Sequence, residues 1–330
     1  MPTDNNPRTV YNQPTVTHTA AGQPRRVGYE LEFTGLELAQ VSALVETVFS
    51  GRRSDESAAA ASVSVAGLGD FKIELDWQYL KKKAARDAPG EEQWLDLLSQ
   101  AATLLVPVEI VCPPLPLSEM QQLDPLTEAL RHAGAQGTED SLIAAYGVHI
   151  NTEIPQLDAA TLFAYARAFG LLQWWLVDAH QVDLARRISP YVDLYPEAYL
   201  KRLYALRTPD LKQLLDDYLQ DNPSRNRALD LLPLLAEVDA KAVESAVGDS
   251  KVSARPAFHY RLPNCQIDKP SWSLAGSWNT WWVVEELAQR PTNLEELGQR
   301  FLEMNRPLLG VSRSEWTAYL DQWLHAHGLA

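Results

Sequence analysis

Two short segments of the chain place ionisable residues two positions apart within an apolar alternation. They are RVGYELEF at residues 26–33 and FKIELDW at residues 71–77. In a β-strand, residues i and i+2 project from the same face. The spacing therefore predicts two strands, each with charged groups gathered on one face. These groups are Glu30, Glu32, Lys72, Glu74 and Asp76.

Carboxylates on a sheet face are costly where an ordinary core would hold Val or Leu, unless something compensates their charge. The usual compensation is a divalent cation, and oxygen ligands favour Mg²⁺ or Mn²⁺ over zinc. A half-exposed strand alternates polar and apolar residues in the same way. Glu30 and Glu32 could therefore also form the solvated face of an edge strand, and this alternative stays open here.

Three further segments continue the pattern. VEIV at 108–111 contains Glu109, and YGVHINTE at 146–153 alternates Gly147, His149, Asn151 and Glu153 with other residues. FHYRL at 258–262 places His259 and Arg261 on one face. Together the five segments predict a polar sheet face that lines a site. Taken singly, a residue such as His149 is more often a structural histidine than a ligand, and one such as Arg261 is more often a surface or salt-bridged arginine.

Composition limits the class of protein. The chain has 330 residues, 46% of them hydrophobic and 22% charged, which is typical of a globular protein with a large core. The net charge of −14 argues against wrapping nucleic acid. No apolar run reaches the roughly 20 residues of a membrane span, and the N-terminus does not resemble a signal peptide. We expect a cytoplasmic protein whose two cysteines form no disulfide framework.

Residues 1–24 are polar and proline-rich, which predicts a flexible lead. Residues 51–57 and 81–92 are predicted as charged loops. Strands are predicted over 26–34, 58–66, 71–80, 108–111, 145–153 and 258–262. Helices are predicted over 36–49, 94–105, 118–132, 211–219, 228–235, 239–247 and 272–289, with others from 158 and from 294. This order predicts an α+β fold with an antiparallel sheet.

Four motifs in one order carry a family resemblance. They are RVGYELEF, VEIVCPPL, YGVHIN and HYRLPNCQID, between residues 26 and 268. The series resembles the amidoligase family, distant relatives of glutamine synthetase and glutamate–cysteine ligase. The resemblance covers roughly residues 25–290.

The resemblance implies a glutamine-synthetase-like catalytic domain with a largely antiparallel curved sheet and flanking helices. One such domain would span residues 25–330, with a helical insertion at about 158–255 and a helical C-terminal region at 272–330. It further implies ATP-dependent joining of a small-molecule or peptide carboxylate to an amine through an acyl phosphate. We expect ATP and Mg²⁺ (or Mn²⁺) as cofactors and neither nucleic acid nor membrane as partner. Tryptophan-rich helices would also suit a homo-oligomer.

The resemblance matches Glu30, Glu32, Glu109, His149 and Arg261 to the family's motifs, and the chemistry of the reaction adds further candidates. Metal ligands would be Glu30, Glu32 and Glu109, with Asp76 or Glu74 completing a second site. His149 could hold a metal or contact a phosphate of the nucleotide, and Lys72 and Asn151 would contact the nucleotide or substrate. The transferred group would be neutralised by Arg261, with Arg186 or Arg187. The amine's proton would be accepted by Glu74 or Glu153.

The chain departs from the family pattern at three places, one of which is Trp77-Gln78, where small residues often follow the Asp at the end of the second strand. Asn151 stands where a second histidine is usual, and His259 stands where an acidic residue is common before the aromatic–Arg pair. Two alternatives therefore stay open. One is a family member without catalytic activity that acts as a binding or scaffolding protein, and the other is a metal-dependent hydrolase.

Overall fold

The computed structural model describes residues 10–57, 59–75, 107–138, 146–187, 192–248 and 252–330. These residues divide into two compact units. Unit 1 comprises Val10, Val27–His149 and Pro263–Gly276, and unit 2 comprises Tyr11–Arg26, Ile150–Leu262 and Ser277–Ala330. The sequence predicts one domain over 25–330, and the division into two compact units does not test that prediction. The predicted loop at 81–92, the predicted helix at 94–105 and Asp76 lie outside the described residues.

The fold is α+β, as predicted, and its paired strands are antiparallel. Its strands are β1 (Arg26–Phe33), β2 (Arg52–Glu56), β3 (Ala60–Val65), β4 (Gly69–Leu75), β5 (Val108–Val111), β6 (Leu115–Pro116), β7 (Val148–Thr152), β8 (Leu229–Asp230) and β9 (His259–Tyr260). The glutamine-synthetase-like assignment remains a proposal.

A 3₁₀ helix at Leu117–Leu123 is followed directly by one of the α-helices. The α-helices among the described residues are α1 (Leu38–Phe49), α2 (Asp124–Ala133), α3 (Ala159–Ala179), α4 (Leu184–Arg187), α5 (Glu197–Ala205), α6 (Leu211–Asp221), α7 (Leu232–Val247), α8 (Leu274–Ala288), α9 (Pro291–Glu303) and α10 (Arg313–Ala326). None of the helices in the described ranges is long and apolar enough to cross a membrane.

In unit 1 the strands follow the order β2-β3-β4-β5-β1, and β6 pairs with β1. One face of this sheet is apolar: Leu31 lies opposite Ile110, and Ile110 lies opposite Ile73, all three fully buried. Helix α1 packs on the sheet at β3 and β4 and against α2. Period-2 alternation therefore places the other side chains of the same strands on the opposite face.

In unit 2 the strands follow the order β7-β9-β8. Ile150 and Leu229 both pair with Tyr260, and all three are buried. Tyr260 packs edge-on against Phe169 of the long helix α3, with ring centroids 6.2 Å apart. The neighbouring residues Asn151, His259 and Asp230 consequently share the opposite face.

Two predicted segments differ from the structure. Residues 51–57, predicted as a charged loop, contain β2, because charged side chains suit the solvated edge of a sheet. Residues 228–235, predicted as a helix, begin with β8, and α7 starts only at Leu232. Pro233 occupies the first turn of that helix, where its missing N–H costs nothing.

Candidate functional site

Three carboxylates form a row across three adjacent strands of unit 1. In the antiparallel register, Glu32 of β1 lies opposite Glu109 of β5, and Glu109 lies opposite Glu74 of β4. Directly opposed residues have Cβ atoms only about 4.5–5.5 Å apart. At about 5 Å two unit charges repel by about 1 kcal/mol in water and about 3 kcal/mol near a protein surface. Such a row is destabilising unless a cation or a proton compensates it.

Glu30 and Lys72 occupy the next row on the same face. Both lie opposite Val111 of β5, one on each side. Lys72 and Glu74 are exposed, whereas the side chains of Glu30 and Glu32 are only 13% and 23% exposed. Lys72 therefore lies at the solvent-exposed end of this charged face. The end of the face at β1 is more enclosed.

His149, at the start of β7, belongs to this enclosed end. Its Nδ1 lies 2.6 Å from Glu30 Oε2, and its Nε2 lies 3.6 Å from Glu32 Oε1. Glu32 is itself oriented, because its Oε2 accepts a 2.8 Å hydrogen bond from the backbone N–H of Gly147. The strand pattern of residues 146–153 thus brings a histidine to the carboxylates of β1.

Glu32, Glu109 and His149 can hold a metal ion together. One ligand atom from each lies within 4.8 Å of the others. Two carboxylates and an imidazole, with further positions for water or substrate, match Mn²⁺ or Mg²⁺ better than a structural zinc site. A carboxylate that binds the second nitrogen of a metal-ligating histidine is a recurrent feature of metal sites, and Glu30 stands in that position.

Cys112, at the end of this strand region, is not a nucleophile. It is fully buried, and burial together with the negative charge of Glu30 raises the pKa of its thiol far above the ordinary value. A thiol in such surroundings is inert. Cys112 therefore has the environment of a structural residue.

The remaining predicted residues lie in unit 2. Asn151 Oδ1 accepts a 3.0 Å hydrogen bond from Arg255 Nη2. Arg261 Nη2 lies 3.8 Å from Asp230 Oδ2. Arg187 forms an exposed ion pair with Asp178 at 3.2 Å, which indicates a helix-surface contact.

Arg186, the alternative to Arg187, is buried. It donates to the backbone carbonyls of Arg261 and Leu262 at 2.6 and 2.7 Å, so it supports the segment directly after β9, which contains Arg261. Glu153, the alternative proton acceptor, accepts a hydrogen bond from the backbone N–H of Arg26.

Asp230 and Arg255 are polar residues that the motifs did not reveal. Asp230 is 1% exposed, and burial raises the pKa of its carboxyl to about 6 although Arg261, Arg225 and Arg255 all lower it. Its sequence context, Ala-Leu-Asp-Leu-Leu, contains only a single charge in an apolar run. The sequence signal that could have indicated Asp230 is a single Asp within an apolar run.

A mixed α+β protein with a carboxylate-bearing antiparallel sheet is the class that this fold and site define. The comparison with protein families adds the particular family. Residues 23–283 match the model described as "Putative amidoligase enzyme". The match spans well over half of the chain, so the protein belongs to the amidoligase family. No curated protein and no solved structure matches it.

Proposed function

We propose that this amidoligase is an ATP- and divalent-metal-dependent carboxylate–amine ligase. The observation that carries the proposal is the carboxylate row of Glu32, Glu109 and Glu74 beside His149. A hard-ligand cluster on a sheet face suits a reaction in which nucleotide phosphates must be held and neutralised. Family membership supports ligase chemistry over hydrolysis by the same residues.

In this reaction a carboxylate oxygen of the substrate attacks the γ-phosphorus of ATP, and ADP leaves. The amine nitrogen then attacks the acyl carbon, inorganic phosphate leaves, and a base takes the amine's proton. A bound metal would supply charge neutralisation at the phosphates. Glu32, Glu109 and His149 would hold that metal, Glu30 would orient His149, and Glu74, the exposed member of the row, would accept the proton.

Nucleotide binding is the first test. We expect ATP with Mg²⁺ to raise the midpoint of thermal unfolding, and EDTA to remove that rise, because the phosphates would bind through the metal. Screening amino acids and peptides for stimulated ADP release would then identify the carboxylate and the amine. ATP binding without ADP release against any amine would instead support a nucleotide-binding scaffold.

The matched variants are Glu109→Gln and Glu128→Gln. Glu109 lies in the centre of the row, whereas Glu128 is an exposed residue of α2 in the same unit. We expect ADP release to fall more than about a hundredfold in the first variant, because losing a metal ligand should cost more than the roughly 10–100-fold of losing a group that only supports a ligand, and to be unchanged in the second. Unchanged turnover in Glu109→Gln would overturn the proposal.

A further inference from the structure

The second half of the last motif, Pro263–Asp268, lies in unit 1 beside the residues that lead into β7. Gly147 forms an isolated antiparallel bridge with Asn264. The backbone N–H of Val148 donates to the carbonyl of Pro263 at 3.0 Å. The proposed reaction assigns this half of the motif no role of its own.

The peptide bond between Tyr146 and Gly147 connects this segment to a proposed metal ligand. Its N–H donates to Glu32 Oε2 at 2.8 Å, and its carbonyl oxygen accepts from the backbone N–H of Cys265 at 3.1 Å. The hydroxyl of Thr138 donates to the same carbonyl oxygen. One peptide group thus has two donors on its oxygen and a carboxylate on its N–H. Hydrogen bonds at one end of a chain polarise the group and strengthen the bond at the other end.

Thr138 has a fixed position, and its side chain is enclosed. The residue is 1% exposed, and its backbone N–H donates to the carbonyl of Cys265 at 2.6 Å. The N–H of the preceding Gly137 donates to Asp268 Oδ1 at 3.0 Å. A Cβ atom on Gly137 would overlap the carbonyl oxygen of Cys265, so only glycine allows the two segments to approach this closely. Thr138 and the motif segment therefore form one support for the peptide.

We propose that Thr138 is a positioning residue of the metal site and acts on Glu32 through the Tyr146–Gly147 peptide. Its hydroxyl fixes the plane of that peptide, and the peptide N–H fixes the carboxylate of Glu32 beside Glu109 and His149. Groups that hold the ligands of a metal contribute to its affinity. This inference rests on the proposed function, because it requires that Glu32 binds a metal ion.

The test is calorimetric titration of the protein with Mn²⁺ in the absence of nucleotide. Thr138→Val keeps the size of the side chain and removes the hydroxyl. We expect the dissociation constant for Mn²⁺ to rise about three- to tenfold, less than the roughly 10–100-fold for a group in direct contact with a ligand, because a peptide bond lies between. Thr138→Ser keeps the hydroxyl and should bind Mn²⁺ like the wild type.

The control is Thr127→Val, which removes the hydroxyl of another buried threonine in unit 1. That hydroxyl donates within α2, to the carbonyl of Asp124 at 2.9 Å. Urea unfolding measures the loss of stability in each variant, whereas the affinity for Mn²⁺ should fall only in Thr138→Val. The comparison separates positioning of the ligand from a general structural role.

Circular dichroism establishes that each variant is folded, and Thr138→Ala provides a second test if Thr138→Val does not fold. Wild-type affinity in the folded Thr138→Val variant, or an equal loss in Thr138→Ser or Thr127→Val, would overturn this inference and leave the ligase proposal intact. Absence of Mn²⁺ binding in the wild type would overturn the metal site and this inference together.

Discussion

At the scale of single residues, the contacts of the two ring nitrogens of His149 indicate different roles for Glu30 and Glu32. A carboxylate that holds one ring nitrogen of a histidine directs the other nitrogen outward. Glu30 makes the short contact with Nδ1, and Nε2 is directed toward Glu32. Glu30 therefore fits an orienting role, whereas Glu32 fits direct coordination.

This division predicts unequal effects on metal affinity. In Mn²⁺ calorimetry, Glu32→Gln should abolish measurable binding, since it removes a ligand. Glu30→Gln should weaken binding about 10–100-fold, since it alters only the support of His149. Glu128→Gln is the control. Equal losses in the two variants would contradict the division and make Glu30 a ligand as well.

Asp230 predicts a distinct dependence of stability on pH. Burial raises the pKa of its carboxyl from 3.8 to about 6 in the folded protein. Between these values the folded state binds a proton that the unfolded state lacks, so the free energy of unfolding falls as pH rises from about 4 to about 6. The total fall in the free energy of unfolding that Asp230 causes over this pH range is on the order of 2–3 kcal/mol.

The measurement is urea unfolding of the wild type and Asp230→Asn between pH 4 and pH 7. The wild type should lose stability relative to the variant up to about pH 6, and the difference should then stay level. Titratable or charged groups around Asp230 are Arg225, Arg255, Arg261, His259, Tyr195 and Tyr218. A constant difference over the whole range would show that Asp230 has an ordinary pKa.

At the scale of elements, β4 and β1 each have one face in a core and one that bears charge. Ile73 is fully buried, and its neighbour Glu74 is exposed at the end of the carboxylate row. Strand β4 thus contributes a core residue that stabilises unit 1 and a carboxylate that adds to the charge repulsion in the row.

Substitutions of these two neighbours should act in opposite directions. Ile73→Ala should lower the free energy of unfolding by about 2–5 kcal/mol, because it leaves a cavity. Glu74→Gln should raise it by about 0.2–1 kcal/mol in EDTA, because it removes one of three opposed charges. Urea unfolding measures both. A destabilising Glu74→Gln would show that the row is not repulsive.

At the scale of the whole chain, residues from three distant segments meet inside unit 2. Arg25 forms a fully buried ion pair with Glu285 at 2.9 Å, and Tyr165 donates to the same carboxylate at 2.6 Å. Arg25 also donates to the carbonyls of Val16 and Glu153. Polarity and proline content predict a flexible lead over residues 1–24, and they do not reveal these contacts of the segment from Tyr11 onward.

Arg25→Ala should destabilise unit 2 by about 3–5 kcal/mol, because it leaves Glu285 buried without its cation. The control is Arg306→Ala, which breaks the exposed pair with Glu315 and should cost less than about 1 kcal/mol. Thermal and urea unfolding compare the two variants. Similar small effects would mean that the segment at Arg25 contributes little to stability.

The sequence by itself determined the alternating strands and their acidic faces. Period-2 alternation is a local property, so Glu30, Glu32, Glu109 and His149 could be found from spacing alone. The helix predicted from 158 is present, and the side chain of Asp158 caps it by accepting from the backbone N–H of Thr161. The order of the motifs indicated a resemblance to the amidoligase family, and the family model that matches residues 23–283 confirmed it.

Only the tertiary structure decided which of these groups meet. The register of β1, β5 and β4 places Glu32, Glu109 and Glu74 in one row, and register depends on non-local strand pairing that no local pattern encodes. Arg187, predicted at the site, instead pairs with Asp178 on the surface. Asp230 and Arg255 were missed because the burial and desolvation of a single charged residue arise from packing with distant segments.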